Sequence, residues 1–137
     1  MILIDTGVFS ELTKSRPDSR VVDWLFAHRH ETLLSTIVIA ELGAAIRTTR
    51  GAENRRLLTL WLGRLIARHE GRVLPFGTEA AKRWAEFVAE LILTGRYSDH
   101  HDSQIAAQAL VRGVPIATRE SWSFEKLGSS LVDPWTA

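Results

Sequence analysis

The chain opens with Met1-Ile2-Leu3-Ile4-Asp5-Thr6-Gly7. An apolar run this short, with no polar residues in alternation, predicts a strand buried on both faces in the middle of a parallel sheet. Asp5 stands where that strand ends. In open α/β sheets ligands bind at the carboxyl ends of the strands, so Asp5 is a candidate for chemistry. The alternative is that Asp5 only caps the helix that follows.

Beyond this stretch the chain alternates helical patterns with short apolar strands. Further strands are predicted at Leu33–Leu34, Val73–Phe76, Val114–Ala117 and Ser130–Val132. Helices are predicted after Asp5 and after Asp18, from Ser35 or Thr36 to about Thr49, from about Ala52 to His69, from Thr78 to Gly95, and from Asp99 to Arg112. This alternation indicates an α/β protein, a three-layer α/β/α sandwich with a short central parallel sheet. Pro75 suits an edge strand or the end of a strand.

Two of the predicted helices carry well-defined apolar faces that we expect to be buried. The face of the helix after Asp18 consists of Val21, Val22, Leu25 and Phe26. The face of the helix after Thr78 consists of Ala81, Trp84, Ala85, Val88, Leu91 and Ile92.

Length and composition predict one domain over residues 1–137, with 45% of the residues hydrophobic. The absence of cysteine excludes disulfides and thiolate catalysis and fits a reducing compartment. The opening apolar run is too short for a signal peptide, and no 18-residue apolar span follows it. We therefore expect a cytoplasmic protein with no membrane contact.

The formal net charge is only +1, but the basic residues are unevenly distributed. One segment carries seven arginines against Glu53 and Glu70: Arg47, Arg50, Arg55, Arg56, Arg64, Arg68 and Arg72. Guanidinium groups bind phosphate bidentately, so this field is either a nucleic-acid surface or a solvated helix face.

Two further acids lie in unusual settings. Glu41 is embedded in the apolar and small-residue stretch 39–45, where a carboxylate is costly unless it is paired or bound to a cation. Asp102 precedes Ile105 by three residues and so lies on the buried stripe of its helix. Its alternative role is helix capping, with Asp99 as the N-cap.

Three carboxylates on separate elements, Asp5, Glu41 and Asp102, make a plausible donor set for a hard divalent cation. Magnesium takes oxygen ligands and is commonly held by one or two carboxylates together with substrate phosphates. Such an ion activates water and stabilises the leaving oxygen of a phosphodiester.

At this point the sequence resembles the PIN-domain endoribonucleases, and within them the VapC-like toxins of bacterial toxin–antitoxin pairs. The resemblance covers almost the whole chain, and its motifs appear in the family's order and spacing. They are residues 1–12, Ala40-Glu41-Leu42, Val73-Leu74-Pro75-Phe76, Asp102-Ser103-Gln104-Ile105-Ala106-Ala107, Ala117-Thr118-Arg119 and Pro134-Trp135.

The resemblance implies a PIN-like fold and a magnesium- or manganese-dependent endoribonuclease that acts on RNA. It implies a homodimer and a cognate antitoxin whose tail fills the active-site groove. It places the metal-binding and catalytic acids at Asp5, Glu41 and Asp102. It also implies substrate contacts at Thr6, Thr118 and Arg119.

The chain departs from the family pattern at two positions. Gly7 stands where the family has Asn, and Ser123 stands where it has a fourth acid. Glu120 is the first candidate to replace that acid as a catalytic residue, and Asp99 is the second. These departures also leave open a degenerate PIN domain that only binds an antitoxin or tethers a DNA-binding complex.

Two other enzyme classes share part of the opening motif. Asp5-Thr6-Gly7 is similar to the signature of aspartic proteases, but that fold is nearly all β, whereas this chain is mostly helical by periodicity. Haloacid-dehalogenase-type phosphatases need a second Asp at position 7, where this chain has Gly.

The chain has five tryptophans: Trp24, Trp61, Trp84, Trp122 and Trp135. Tryptophan is enriched at protein interfaces, so this content favours a homodimer. The alternative, that the side chains lie in the core, is strongest for Trp61 and Trp84, which fall on apolar stripes.

Overall fold

Five short parallel strands form one sheet at the centre of the computed structural model, which describes residues 1–96, 100–125 and 127–137. They are β1 (Ile2–Ile4), β2 (Thr32–Ser35), β3 (Val73–Leu74), β4 (Ile116–Ala117) and β5 (Leu131–Val132). Their order is β3-β2-β1-β4-β5, and every neighbouring pair is parallel. The opening run is therefore the central strand, and β3 lies at an edge, as predicted.

Helices connect the strands close to the predicted positions. They are α1 (Thr6–Glu11), α2 (Ser19–Ala27), α3 (Thr36–Arg47), α4 (Ala52–Arg68), α5 (Thr78–Leu93), α6 (His100–Arg112) and α7 (Ser121–Glu125). Asp18 caps α2 by accepting the Arg20 backbone N–H at 2.9 Å. Asp99, the predicted start of α6, lies outside the described residues. Helix α7 was not predicted, because five residues are too few to show a helical period.

The two central strands are covered on both faces. Leu3 and Ile4 of β1, and Leu33 and Leu34 of β2, are between 0% and 3% exposed. Consecutive strand residues point to opposite faces, so burial of both members of each pair requires a layer on each side of the sheet. This confirms the predicted α/β/α class.

The strand order reverses direction at β1. The chain passes from β1 outwards through β2 and β3, and then returns to place β4 and β5 on the other side of β1. Such a reversal opens a crevice at the carboxyl ends of the two strands that flank it. Asp5 follows β1 and Thr118 follows β4, so both lie at this crevice, and the Asp5 backbone N–H donates to the Ala117 carbonyl at 3.0 Å.

A buried polar contact fixes α6 against the sheet. The Ser35 hydroxyl donates to Gln108 Oε1 at 2.5 Å, and Gln108 Nε2 donates to the Leu74 carbonyl at 3.1 Å. Gln108 is 2% exposed, yet both ends of its amide are paired, which removes most of the cost of burying it. α6 is thereby joined to β3 and to the start of α3.

The predicted apolar faces are only partly buried. On α5, Val88 is buried, but Ala81, Ala85 and Ile92 are exposed, with Ile92 at 60%. On α2, Phe26 is 67% exposed. These expectations were wrong because the apolar stripe of each helix is wider than the side that packs on its neighbours.

Four of the tryptophans are accounted for within the domain. Trp24 and Trp135 belong to the core, and Trp61 packs against it. Trp84 donates its indole N–H to Ser103 Oγ at 2.9 Å. These four side chains do not support the predicted interface, and the side chain of Trp122 lies outside the described part of the chain.

In that described part, no helix is long and apolar enough to cross a bilayer.

Candidate active site

A cavity of about 400 Å³ opens at the carboxyl ends of the central strands. Four of the five candidate acids from the sequence, Asp5, Glu41, Asp102 and Glu120, lie in its wall, and the fifth, Asp99, lies outside the described residues. The other lining residues are Thr6, Gly7, Ser10, Glu11, Lys14, Arg119 and Trp135. The fold therefore brings together carboxylates from four separate parts of the chain.

Asp5 is held by hydrogen bonds to both of its carboxylate oxygens. Oδ1 accepts the Thr6 backbone N–H at 2.8 Å, and Oδ2 accepts the Thr118 hydroxyl at 2.8 Å. Asp5 has extended backbone geometry at the N-cap of α1, and it also lines the cavity. Asp5 thus caps a helix and also lies in the cavity wall, so its capping role does not exclude a role in chemistry.

The Asp5 carboxylate lies in an environment that disfavours its charge. Burial, the largest effect, raises the pKa of Asp5 from 3.8 to about 6. The hydrogen bonds from Thr118 and Thr6 lower this pKa, while the negative charges of Glu41 and Glu120 raise it further. The ionised form of Asp5 is therefore destabilised, and a nearby cation would stabilise it.

Glu41 is oriented by the residue next to Asp5. The Thr6 hydroxyl donates to Glu41 Oε1 at 2.9 Å, and His101 Nδ1 lies 3.4 Å from Glu41 Oε2. Thr6 therefore acts on two acids, through its N–H on Asp5 and through its hydroxyl on Glu41. Asp102, one residue after His101, lies partly buried in the first turn of α6.

The segment after β4 supplies one buried and two exposed groups. Thr118 is 1% exposed, and its hydroxyl also accepts the Glu120 backbone N–H at 3.0 Å. Its observed contacts orient Asp5, so a direct substrate contact by Thr118 stays a prediction. Arg119 lines the cavity with its guanidinium 5.1 Å from the centre of the Trp135 ring.

Glu11 and Lys14 also line the cavity, although neither was predicted as a site residue. Opposite charges three residues apart share a helix face, and this spacing was the available signal. The same spacing is common on solvated helices. Nothing local to residues 11–14 shows that they face the cavity, because that depends on how α1 packs against the rest of the domain.

The arginine-rich segment lies apart from this wall. Arg47, Arg55 and Arg56 line a different cavity, of about 610 Å³, between α3 and α4. Arg55 donates to the Thr49 carbonyl, and Arg56 pairs with Glu53 at 2.6 Å. Arginines of this basic segment therefore make contacts within the domain. The role of the segment as a nucleic-acid surface stays a prediction.

The donor chemistry of the acid cavity fits a hard divalent cation. Its acids offer carboxylate oxygens, the ligand type that magnesium and manganese prefer. Within the three described segments, no group of three or more His, Cys, Asp or Glu side chains lies close enough together to hold a metal ion by itself. Magnesium usually keeps several waters and needs only one or two carboxylates, so the acids present suit it.

Comparison with known proteins agrees with this geometry. The family model for the PIN domain matches residues 2–128. The chain belongs to the PIN domain family. It is 36% identical over 137 residues to the VapC ribonuclease Y4jK of Sinorhizobium fredii (strain NBRC 101917 / NGR234), covering 98% of each protein. It is 31% identical to the Toxin FitB of Neisseria gonorrhoeae (strain ATCC 700825 / FA 1090), covering 98% of this chain and 99% of FitB.

The fold of this PIN domain agrees equally well with a solved relative. The crystal structure of FitAcB from Neisseria gonorrhoeae superposes with a TM-score of 0.91 at 30% identity, covering 100% of both chains. The resemblance to PIN domains and VapC-like toxins, and the PIN-like fold, are therefore confirmed.

The raised pKa of Asp5 predicts the stability of the metal-free protein. Because the folded-state pKa lies above the unfolded value, ionisation of Asp5 destabilises the fold progressively as the pH rises from about 4 through 6. Asp5→Asn removes this charge and should raise the free energy of unfolding at pH 7.5 by up to about 3 kcal/mol. The gain should disappear near pH 4, and denaturant melts in EDTA at both pH values measure it.

The control for this comparison is Asp23→Asn, because Asp23 lies exposed on α2. It should change stability little at either pH. A destabilised Asp5→Asn protein at pH 7.5 would contradict the electrostatic argument.

Proposed function

We propose that this PIN domain is a metal-dependent endoribonuclease toxin that cleaves RNA phosphodiester bonds and is inhibited by a cognate antitoxin. The observation that carries the proposal is the meeting of Asp5, Glu41 and Asp102, from three separate elements, in one cavity. Two relatives support it by name, since one is a VapC ribonuclease and the other a toxin.

Asp5, Glu41 and Asp102 would hold the cation, with magnesium or manganese as the fitting ions. When bound, such an ion supplies an activated water and stabilises the developing charge on the leaving oxygen. The side chains of the protein orient the acids and bind the phosphate. Thr118 and Thr6 orient Asp5, Thr6 orients Glu41, and Arg119 offers a guanidinium that pairs well with phosphate.

The acid set is tested by removing one charge at a time. Glu41→Gln and Asp102→Asn should each lower magnesium-dependent RNA cleavage by more than about 100-fold, because loss of a ligand costs more than loss of a neighbouring group. Cleavage of a labelled RNA by purified protein, with magnesium and with EDTA, measures this. Asp23→Asn should retain full activity, and near-full activity in either acid variant would overturn the assignment.

Glu120 is our proposal for the fourth acid. It lines the cavity, and its charge is one of those that raise the pKa of Asp5. Both observations support a position near the other acids. The competing candidate, Asp99, and the side chain of Ser123 lie outside the described residues.

If Glu120 serves as the fourth acid, Glu120→Gln should weaken cleavage severalfold and raise the magnesium concentration needed for half activity. Titration of magnesium against the initial cleavage rate gives both quantities. Glu125→Gln, a change to an exposed residue of α7, is the matched control.

The alternative function is a degenerate PIN domain that serves only as an antitoxin-binding or DNA-tethered module. Gly7 and Ser123, the two departures from the family pattern, favour it. Under this alternative Glu120→Gln changes nothing, while Ser123→Asp creates or strongly increases activity.

A homodimer is part of the proposal, and α5 supports it better than the tryptophans do. One side of this helix exposes small and large apolar residues, with Ile92 at 60% and Leu93 at 85%. Ala81, Ala85 and Ala89 are also exposed on α5. An apolar surface of this kind is typical of a protein interface.

If the exposed apolar side of α5 forms the dimer interface, a charged substitution there should give a monomer. A charge buried in an apolar interface is costly, so Leu93→Glu should convert the dimer to a monomer. Size-exclusion chromatography with light scattering at micromolar protein, without antitoxin, measures the mass. Leu57→Glu, at a 51% exposed position on α4, should remain dimeric. A monomeric wild type would contradict the prediction.

A further inference from the structure

The wall of the acid cavity also contains two cations, Lys14 and Arg119. The acids alone would repel the phosphates of an RNA strand, so a substrate needs positive groups beside any bound ion. Arg119 belongs to a family motif, whereas nothing in the sequence motifs accounts for Lys14. A substrate-binding role for Lys14 rests on the proposed function.

Lys14 is held in place by a buried carboxylate. Glu11 is 5% exposed, and its Oε2 lies 2.6 Å from Lys14 Nζ. Its other oxygen, Oε1, accepts the Asp18 backbone N–H at 3.0 Å. Two hydrogen bonds, a larger effect from Lys14 and a smaller one from Asp18, hold the pKa of Glu11 below its usual range. This carboxylate is therefore ionised at neutral pH.

The charge of Glu11 is not required by the local fold. The Asp18 N–H at the start of α2 needs one acceptor, and a neutral amide oxygen at position 11 would supply one, although a carboxylate is the stronger acceptor. A buried carboxylate is a costly way to meet that need. The charge is accounted for if its task is to fix the ammonium of Lys14.

The Lys14 ammonium remains able to bind a ligand. Its side chain is 60% exposed, and an ammonium has three donors, of which Glu11 uses one. The pKa of Asp18 is lowered chiefly by hydrogen bonds from Arg20, and the charge of Arg119 adds a smaller effect, so Arg119 lies within electrostatic reach of the same loop. Two cations therefore border the cavity near residues 14–18, each held by a neighbour: Lys14 by Glu11, and Arg119 over Trp135.

We propose that Lys14 is a phosphate-binding residue of the acid cavity, contacting a backbone phosphate of the bound RNA strand, and that Glu11 is the positioning residue that fixes its ammonium. The ligand class is a single-stranded RNA backbone, recognised through its phosphate rather than its bases. Lys14 thus adds a fixed positive charge to the substrate path next to the acids.

The test replaces the ion pair by two amides, Glu11→Gln with Lys14→Gln, in Asp5→Asn protein so that RNA is bound but not cut. This change keeps the net charge and keeps an acceptor for the Asp18 N–H. The matched control is Glu79→Gln with Lys82→Gln on α5, a pair with the same spacing of three residues at 3.4 Å, outside the cavity wall.

Fluorescence anisotropy with a short single-stranded RNA, at several salt concentrations, gives the Kd and its salt dependence. Loss of one phosphate contact should raise the Kd about threefold or more and reduce the slope of log Kd against log salt by about 0.7. The control pair should change neither quantity. Lys14→Arg alone should retain most of the affinity, because it keeps a cation at this position.

An unchanged Kd and salt slope in a protein that melts normally would overturn the proposal. If the double variant fails to fold, Lys14→Met compared with Lys82→Met decides the question by the same measurement. Failure of the wild-type protein to cleave RNA in the presence of magnesium would instead contradict the proposed function. The binding comparison does not depend on cleavage, so the two failures are distinguishable.

Discussion

The geometry of the site depends on one buried hydrogen bond, from the Ser35 hydroxyl to the side chain of Gln108. The same hydroxyl oxygen accepts the Ile37 N–H and so caps α3, whose sixth residue is Glu41. Gln108 belongs to α6, six residues after Asp102. The two helices that deliver these acids are therefore joined through one pair of side chains, and a buried polar pair tolerates little displacement because an unpaired partner is costly.

The larger elements could be predicted because their signals are local. A continuous apolar run specifies β1, and the long helices show a clear period and recognisable ends, as at Asp18. The sequence signals fail to predict an element that is short, and they fail to predict which part of a helix surface is buried when packing determines it. Five residues cannot show a period, so α7 was missed, and the sequence does not show that α5 packs through only part of its apolar stripe.

The acids of the site were visible in the sequence because a carboxylate at a strand end, or within an apolar stretch, conflicts with its surroundings. The supporting roles of the neighbouring hydroxyls were not visible, since Thr6 and Thr118 were expected to contact substrate. Thr118 donates to Asp5 across 113 positions of sequence, and no local pattern records such a partner. Glu11 and Lys14 form an ordinary charge pair by spacing, and only the packing of α1 in the folded domain places them at the cavity.

The two hydrogen bonds to Asp5 have an entropic consequence. A free carboxylate samples several rotamers, and a ligand that needs one of them must overcome the lost freedom when it binds. Here Thr6 and Thr118 already restrict the Asp5 side chain, and the Thr6 hydroxyl restricts Glu41. The loss of side-chain freedom therefore accompanies folding rather than binding, and an incoming cation finds these two acids already ordered.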